Sequence, residues 1–366
     1  MKVGVPTEIK EEEYRVALTA VGARELAEHG HEVLVQSGAG EGSAIADADY
    51  AAQGARIIDT AEEVFAESEL ILGVKEPQPV EVGMLRSDHT LFTYLHLAPA
   101  PELTDGLCGT GATCIAYETV EDGEGRLPLL APMSEIAGRI ATQAGAFFLE
   151  KPMGGRGILL GGVPGVAAAN VMVIGAGAVG INAAQMAVGM AADVFLFDVN
   201  IDAIRRADLQ FAGSLSTVFS STLSIEEMLP RVDLVIGAVL VQGARAPHVI
   251  KREQLALMKR HAVLVDVAID QGGCFETSKP TTHTDPVYEV DGVTHYCVAI
   301  TSTQALTNAT LPYVLSLADN GVAGALERDR GLVPGVNVAA GKVTHPGVAE
   351  GVGAEHVAVA DALGIG

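Results

Sequence analysis

The chain has no tryptophan, only 4% aromatic residues and just four cysteines in 366 residues. So few large rings, set against 42 glycines, speak against a β-sandwich and for parallel sheets covered by helices. The cysteines, Cys108, Cys114, Cys274 and Cys297, form no C-x-x-C pair and show no zinc-ligand spacing. That excludes a cysteine zinc site, so no metal is expected, and free thiols in a reducing compartment are the expectation. Basic residues are scarce too: 23 Lys and Arg face 46 Asp and Glu, a net charge of −23. With no basic patch to offset repulsion from phosphates, a nucleic-acid partner is excluded. The amino end, Met1 to Glu8, lacks the apolar run of a signal peptide, which points to the cytoplasm.

Charge is missing altogether from Gly157 to Ala192. A stretch of that length raises the question of a membrane span. It carries Pro164, Asn170, Gln185 and many glycines, however, and changes midway from a Gly-rich connection to a β run and then a helical run. A buried strand-turn-helix explains it better, and no membrane partner is expected.

What is present is a hydrophobic fraction of 49% and a mean hydropathy of +0.32, enough for two well-buried domains. Met1–Pro6, His31–Gln36, Glu69–Lys75, Leu91–His96 and Thr113–Glu118 read as strands, with helical patterns such as Thr19–His29 and Ala61–Ser68 between them. A helix starting near Ser134 and the Gly-rich segment Gly154–Gly165 precede a second series. Its strands are Val171–Gly175, Asp193–Asp198, Val232–Ala238, Ala262–Ile269 and His295–Ile300. Alternation of this kind predicts an α/β protein with two doubly wound, parallel sheets. From Thr303 onward the pattern is helical and then irregular and Gly-rich.

The segment Gly175-Ala-Gly177-Ala178-Val179-Gly180 sits where a G-x-G-x-x-G motif binds a dinucleotide, between a strand and the predicted helix Ala178–Ala191. Gly175 permits the tight turn, Gly177 lets the pyrophosphate approach the backbone, and Gly180 lets the helix pack on the sheet. The N–H groups at the helix start, around Ala178 and Val179, face the phosphates with the positive end of the helix dipole. Asp198 closes the next strand, about 20 residues on, where a carboxylate accepts the ribose hydroxyls and repels a 2′-phosphate. NAD is therefore expected rather than NADP, with Arg205 and Arg206 read as a solvated helix face.

Ligands of doubly wound sheets lie at the carboxyl ends of the strands. Lys75, His96 and Asp270 occupy such ends, and Arg15 lies in the loop after the first strand. Singly each has a bland reading: surface charge, core imidazole, turn cap. Together, two cations can clamp a carboxylate while a histidine and an aspartate move protons as a substrate carbon gains or loses hydride.

These residues lie in segments that resemble bacterial alanine dehydrogenases along nearly the whole chain. The segments are Val5-Pro-Thr-Glu-Ile-Lys-Glu-Glu-Glu-Tyr-Arg15-Val-Ala-Leu-Thr, Gly73-Val-Lys75-Glu-Pro, Phe92-Thr-Tyr94-Leu-His96-Leu-Ala, Pro132-Met133-Ser134-Glu-Ile-Ala-Gly, Gly161-Gly-Val-Pro-Gly and Val265-Asp-Val-Ala-Ile-Asp270-Gln-Gly-Gly. The resemblance implies reversible NAD-dependent oxidative deamination of L-alanine to pyruvate and ammonium, by a homo-hexamer. It implies a flavodoxin-like substrate domain over residues 1–130, completed by 303–366, and a Rossmann NAD-binding domain over 131–302. By carry-over, Arg15 and Lys75 bind the substrate carboxylate, and Tyr94 and Met133 line the side-chain pocket. His96 and Asp270 are catalytic. Ser134 reaches the nicotinamide end, Asp198 the adenosine ribose, and Val239 and Leu240 the far wall of the cofactor, which Val298 also contacts.

One departure stands out. After Ala299 the family continues Asn-Met-Pro-Gly-Ala-Val-Pro, whereas here Ile300-Thr301-Ser302-Thr303 follows directly. Either that loop is absent or the chain as read is incomplete there, and the second is the expectation. Thr301 and Gln304 have capping-box spacing, so a helix is expected to open at once and run through Asn308. Rival readings are the NAD-binding subunit of a proton-translocating transhydrogenase, a saccharopine dehydrogenase, and a non-catalytic nucleotide sensor. The proton-handling set argues against the first, because hydride exchange between nucleotides needs no acid–base pair.

Overall fold

The computed structural model describes residues 1–239, 247–269, 272–282, 284–298 and 302–365. The expectations for Leu240, Asp270 and the junction at residues 299–301 lie outside the described residues. The chain divides into two compact units, Met1–Pro132 with Ser302–Gly366, and Met133–Thr301.

The strands run in chain order. β1 to β6 are Lys2–Val5, Glu32–Gln36, Arg56–Ile58, Leu70–Leu72, Thr90–Thr93 and Thr113–Ala116. β7 to β11 are Asn170–Ile174, Asp193–Asp198, Ser216–Phe219, Leu234–Gly237 and Val263–Asp266; β12 and β13 are Val287–Val290 and Val293–Tyr296; β14 and β15 are Val336–Ala339 and Lys342–Val343. The first unit's sheet has the order β15-β14-β6-β5-β4-β1-β2-β3. Strands β1 to β6 pair in parallel. Without the short edge strand β3 they read 2-1-4-5-6, the flavodoxin-like pattern, and with it 3-2-1-4-5-6. In both, the order reverses between β1 and β4, which places a crevice at their carboxyl ends.

The C-terminal part is less irregular than its glycines suggest. The helix Thr303–Arg328 is interrupted by non-helical backbone at Gly321. Beyond it, β14 joins β6 antiparallel and turns back into β15. Ala340 and Gly341 both have positive φ, at 48° and 77°, the left-handed pair that a tight hairpin needs. The expected capping box is replaced: Ser302 stands at the helix N-cap with no side-chain hydrogen bond, and Thr301 lies outside the described residues.

The second unit orders its strands β12-β13-β11-β10-β7-β8-β9. Apart from the antiparallel edge β12, the neighbours are parallel and reverse between β7 and β10. The uncharged stretch from Gly157 resolves into a connection, β7 and the helix Ala178–Gly189. Both faces of this sheet are covered, so β7 and β10 are buried along their apolar residues, as continuous apolar runs require. No helix among the described residues is long and apolar enough to cross a membrane.

Candidate active site

Three strands of the first unit, β1, β4 and β5, deliver the predicted residues to one end of its sheet. β4 and β5 stop at Leu72 and Thr93, short of the expected Lys75 and His96, for a reason visible in the hydrogen bonds. The Glu8 carboxylate accepts the Val74 N–H at 2.6 Å and the Lys75 N–H at 3.1 Å. The Glu118 carboxylate accepts from the Leu95 and His96 N–H groups, at 3.2 and 2.6 Å. Side-chain oxygens thus take over from the ladder, and the chain leaves the sheet. Lys75 is tied further by its carbonyl, which accepts from Thr93 Oγ1 at 2.8 Å.

His96 is held in an unusual state. Its φ of 49° lies in the left-handed region, which costs a non-glycine residue about 1–3 kcal/mol and persists only where the surroundings impose it. The ring is 47% exposed, with Nδ1 3.9 Å from Glu118 Oε1. It stacks on Tyr94, centroids 5.8 Å apart and planes at 4°. Tyr94 is itself buried, packs edge-on against Tyr117, and donates its hydroxyl to Leu129 O at 2.7 Å. Burial pushes the Tyr94 hydroxyl well above the usual tyrosine range. It therefore offers the site a ring face and an uncharged hydroxyl.

Arg15 is only 7% exposed. Nε donates to Glu13 Oε1 at 2.7 Å and an amino nitrogen to Oε2 at 2.5 Å, a bidentate fork on a carboxylate. The loop carrying it is pinned by the C-terminal helix: Val16 N–H donates to Thr303 Oγ1 at 3.2 Å, and Thr303 Oγ1 also meets Ser43 Oγ at 2.5 Å. Burial acts to raise the Glu13 carboxyl, but the hydrogen bonds and charge of Arg15, with the charge of Lys75, outweigh it and hold the group below the usual range. Glu8 goes the other way. Burial outweighs its two backbone N–H bonds and pushes it up to about 7, with Glu13 adding repulsion. Arg15, Lys75, Glu8 and Glu13 thus form one coupled charge cluster. It can seat a small carboxylate where Glu13 now lies, beside a half-exposed imidazole.

Glu8, Glu13 and Glu118 went unflagged in the sequence. Glu118 stands at a strand end like Lys75 and His96, and the same rule could have found it. Glu13 is masked by the run Glu11-Glu12-Glu13, and Glu8 carries no local signal.

In the second unit, the glycine loop occupies the reversal between β7 and β10. A Cβ on Gly175, whose φ is 110°, would lie 2.4 Å from Ala238 O, and one on Gly180 would lie 1.7 Å from Gly175 O. Both positions therefore require glycine. At Gly177 a Cβ would meet nothing within 4 Å: the chain there borders open space. Gly177 is the N-cap of Ala178–Gly189 and supplies no side-chain cap, so the N–H groups of Ala178, Val179 and Gly180 face outward for an anion. Asp198, at the end of β8, accepts from Ala176 N at 2.6 Å and from Asn200 N at 2.7 Å. It braces the loop it was predicted to serve. Arg205 is exposed and paired with Asp202 at 2.9 Å.

The helix Ala131–Phe148 meets this loop closely. A Cβ on Gly138 would lie 2.1 Å from Val179 O, and Thr142 Oγ1 donates to Ala183 O at 2.8 Å. Ser134, one turn before Gly138, is on that same helix face and half-buried. Met133 and Val298 are buried, and Val239 is half-buried after β10.

Comparison with known proteins gives the family. Residues 4–137 match the family "Alanine dehydrogenase/PNT, N-terminal domain" and residues 141–346 match "Alanine dehydrogenase/PNT, C-terminal domain". The alanine dehydrogenase of Halomonas elongata is 57% identical, with 100% of each chain covered. That of Mycolicibacterium smegmatis is 55% identical over 96% of each. A solved L-alanine dehydrogenase superposes with a TM-score of 0.92 at 47% identity, covering 96% of this chain and 99% of that one. A transhydrogenase from Sinorhizobium meliloti reaches a TM-score of 0.79 at 25% identity, covering 94% of this chain and 99% of that one. The chain belongs to the alanine dehydrogenase/PNT family.

Proposed function

We propose that this chain is an L-alanine dehydrogenase, interconverting L-alanine with pyruvate and ammonium with NAD as hydride carrier. The observation that carries the reading is the gathering of Arg15, Lys75, Tyr94 and His96 at the carboxyl ends of adjacent parallel strands. A glycine cradle shaped for a pyrophosphate sits at the equivalent end of the second sheet. Bound in that cradle, NAD would supply the hydride chemistry at the substrate carbon.

Arg15 exchanges the Glu13 carboxylate for that of the substrate, and Lys75 adds the second positive charge. Fixing the carboxylate at two points leaves the substrate's reacting carbon one orientation. The imidazole of His96 gives or takes the proton at the nitrogen or oxygen on that carbon, with Glu118 fixing its turn. Asp270 is the second proton-handling group in this proposal. Tyr94 and Met133 restrict the space beside the substrate's methyl group. Gly175, Gly177, Ala178, Val179 and Gly180 hold the pyrophosphate, Asp198 the adenosine ribose, and Ser134, Val239, Leu240 and Val298 the remaining surface of the cofactor. On this reading residues 1–130 and 303–366 serve the substrate and 131–302 the cofactor. The protein works in the cytoplasm as a homo-hexamer.

The test is NADH oxidation by pyruvate with ammonium, each omitted in turn. Turnover needing both is expected. Turnover indifferent to ammonium overturns the proposal, and hydride transfer to thio-NADP in its place would assign the transhydrogenase reaction.

A further inference from the structure

Among the described residues, one surface cluster outside this site gathers the side chains that hold transition metals. His29 ends the helix Ala20–Glu28, His31 leads into β2, and Asp319 lies on the helix Thr303–Arg328. One ligand atom from each lies within 4.8 Å of the other two. The contacts are His29 Nδ1 to Asp319 Oδ2 at 3.0 Å and His31 Nε2 to Asp319 Oδ1 at 2.8 Å.

We propose that His29, His31 and Asp319 bind a divalent ion of the zinc class, with water completing the coordination. Two imidazole nitrogens and one carboxylate oxygen suit that class and do not suit magnesium or calcium, which take oxygen. A tetrahedral zinc with bonds of about 2.0–2.1 Å holds its ligand atoms about 3.3–3.4 Å apart. Measured to the single oxygen Oδ1, His29 Nδ1 lies at 3.2 Å and His31 Nε2 at 2.8 Å, so both nitrogen–oxygen edges are within about 0.6 Å of that. The nitrogen–nitrogen edge, which is no longer than 4.8 Å, is the one that has to close. His29 can close it, since its ring is 43% exposed while the His31 side chain is 8% exposed and fixed. On binding, each neutral imidazole carries its proton on the nitrogen turned away from Asp319, so that His29 Nδ1 and His31 Nε2 present lone pairs to the metal. His31 Nδ1 faces the Met1 amine at 3.2 Å, away from the metal position.

The ion would clasp two distant parts of the first unit. The helices Ala20–Glu28 and Thr303–Arg328 touch where Gly22 faces Leu311. A metal joining the end of the first helix to Asp319 would fasten the C-terminal helix that pins the Arg15 loop through Thr303. Stability should then rise with metal concentration, because only the folded chain presents the three ligands together.

The test is titration of the untagged full chain with Zn²⁺ by calorimetry, with thermal unfolding followed in parallel. Wild type should bind in a single class of site and its midpoint should rise with Zn²⁺. Losing a residue that only hydrogen-bonds a ligand costs a metal site about 10–100-fold in affinity, and losing a ligand costs at least as much. His29→Ala and Asp319→Asn should therefore each weaken binding at least tenfold and abolish the rise in midpoint. His96→Ala, which removes the imidazole beside Glu118, should change neither. Should Asp319→Asn fail to fold, His29→Ala decides alone, since its side chain is exposed and the His31–Asp319 contact stays. Equal Zn²⁺ affinity in wild type and His29→Ala, loss of binding in His96→Ala, or no uptake by wild type would each overturn the proposal.

Discussion

Glu118→Gln is the sharpest probe of the proposed chemistry, because it changes one charge and almost no volume. Glu118 accepts from the amides of Leu95 and His96, and those bonds hold His96 at a φ of 49°. Hydrogen bonds to a charged acceptor contribute about 1.5–3 kcal/mol and those to a neutral one about 0.5–1.5. Removing the charge therefore weakens the two tethers by about 2 kcal/mol together. Half of the His96 ring faces solvent, which screens part of the effect and sets a lower bound near 1 kcal/mol. The strain at His96, about 1–3 kcal/mol, is of the same size. Once the tethers weaken, the turn relaxes and the imidazole spends most of its time away from the substrate. At about 1.4 kcal/mol per tenfold, kcat/KM for pyruvate should fall between about 5- and 30-fold. NADH affinity, read by fluorescence titration, should be unchanged. His96→Ala should lose far more, and adding Glu118→Gln to it should lose nothing further, since the carboxylate acts only through the imidazole. A double variant whose losses multiply would refute the reasoning, as would a single variant with wild-type kcat/KM.

The remaining predictions concern charge and backbone. Glu8 is pushed up to about 7 from 4.5 by burial, so the folded chain holds a proton between those values that the unfolded chain releases, and stability is lost as pH rises through 7. The stability of wild type relative to Glu8→Gln should therefore fall by about 3 kcal/mol between pH 4 and pH 8.5 in denaturant melts. A difference flat with pH would place the Glu8 carboxyl in the ordinary range. Gly177→Ala, which meets no protein atom, should keep the wild-type melting temperature yet weaken NADH binding at least tenfold. Gly180→Ala, whose Cβ would collide with Gly175 O, should lose several degrees of melting temperature as well. Equal behaviour of the two glycine variants in both assays would mean that the space beside Gly177 is not where the pyrophosphate lies.

How much of this was legible beforehand depends on how local the physics is. The glycine loop could be read because its demands fall on consecutive residues: one left-handed φ, one open approach, one tight packing contact. The positions of Lys75 and His96 at strand ends were legible in kind, while the strands themselves read several residues too long. Apolar periodicity reports what a strand would bury, and it cannot report that Glu8 and Glu118 intercept the amides first. For the same reason β14 and β15 were missed in a stretch rich in glycine. β14 pairs with β6, more than two hundred residues away, β15 only with β14, and the local trace is the Ala340-Gly341 turn.

The carboxylates are the consequential omission. Arg15 and Lys75 read from sequence as a clamp waiting for an anion, but in the folded chain Glu13 already fills that role with a bidentate pair. A buried guanidinium without any partner would be far more costly than one paired with Glu13. Substrate affinity is therefore set by a difference between two carboxylate partners, not by the strength of Arg15's bonds to either. It follows that Glu13→Gln should tighten binding of the substrate carboxylate while destabilising the empty enzyme. A variant that weakened pyruvate binding instead would show that Glu13 shapes Arg15 without competing for it.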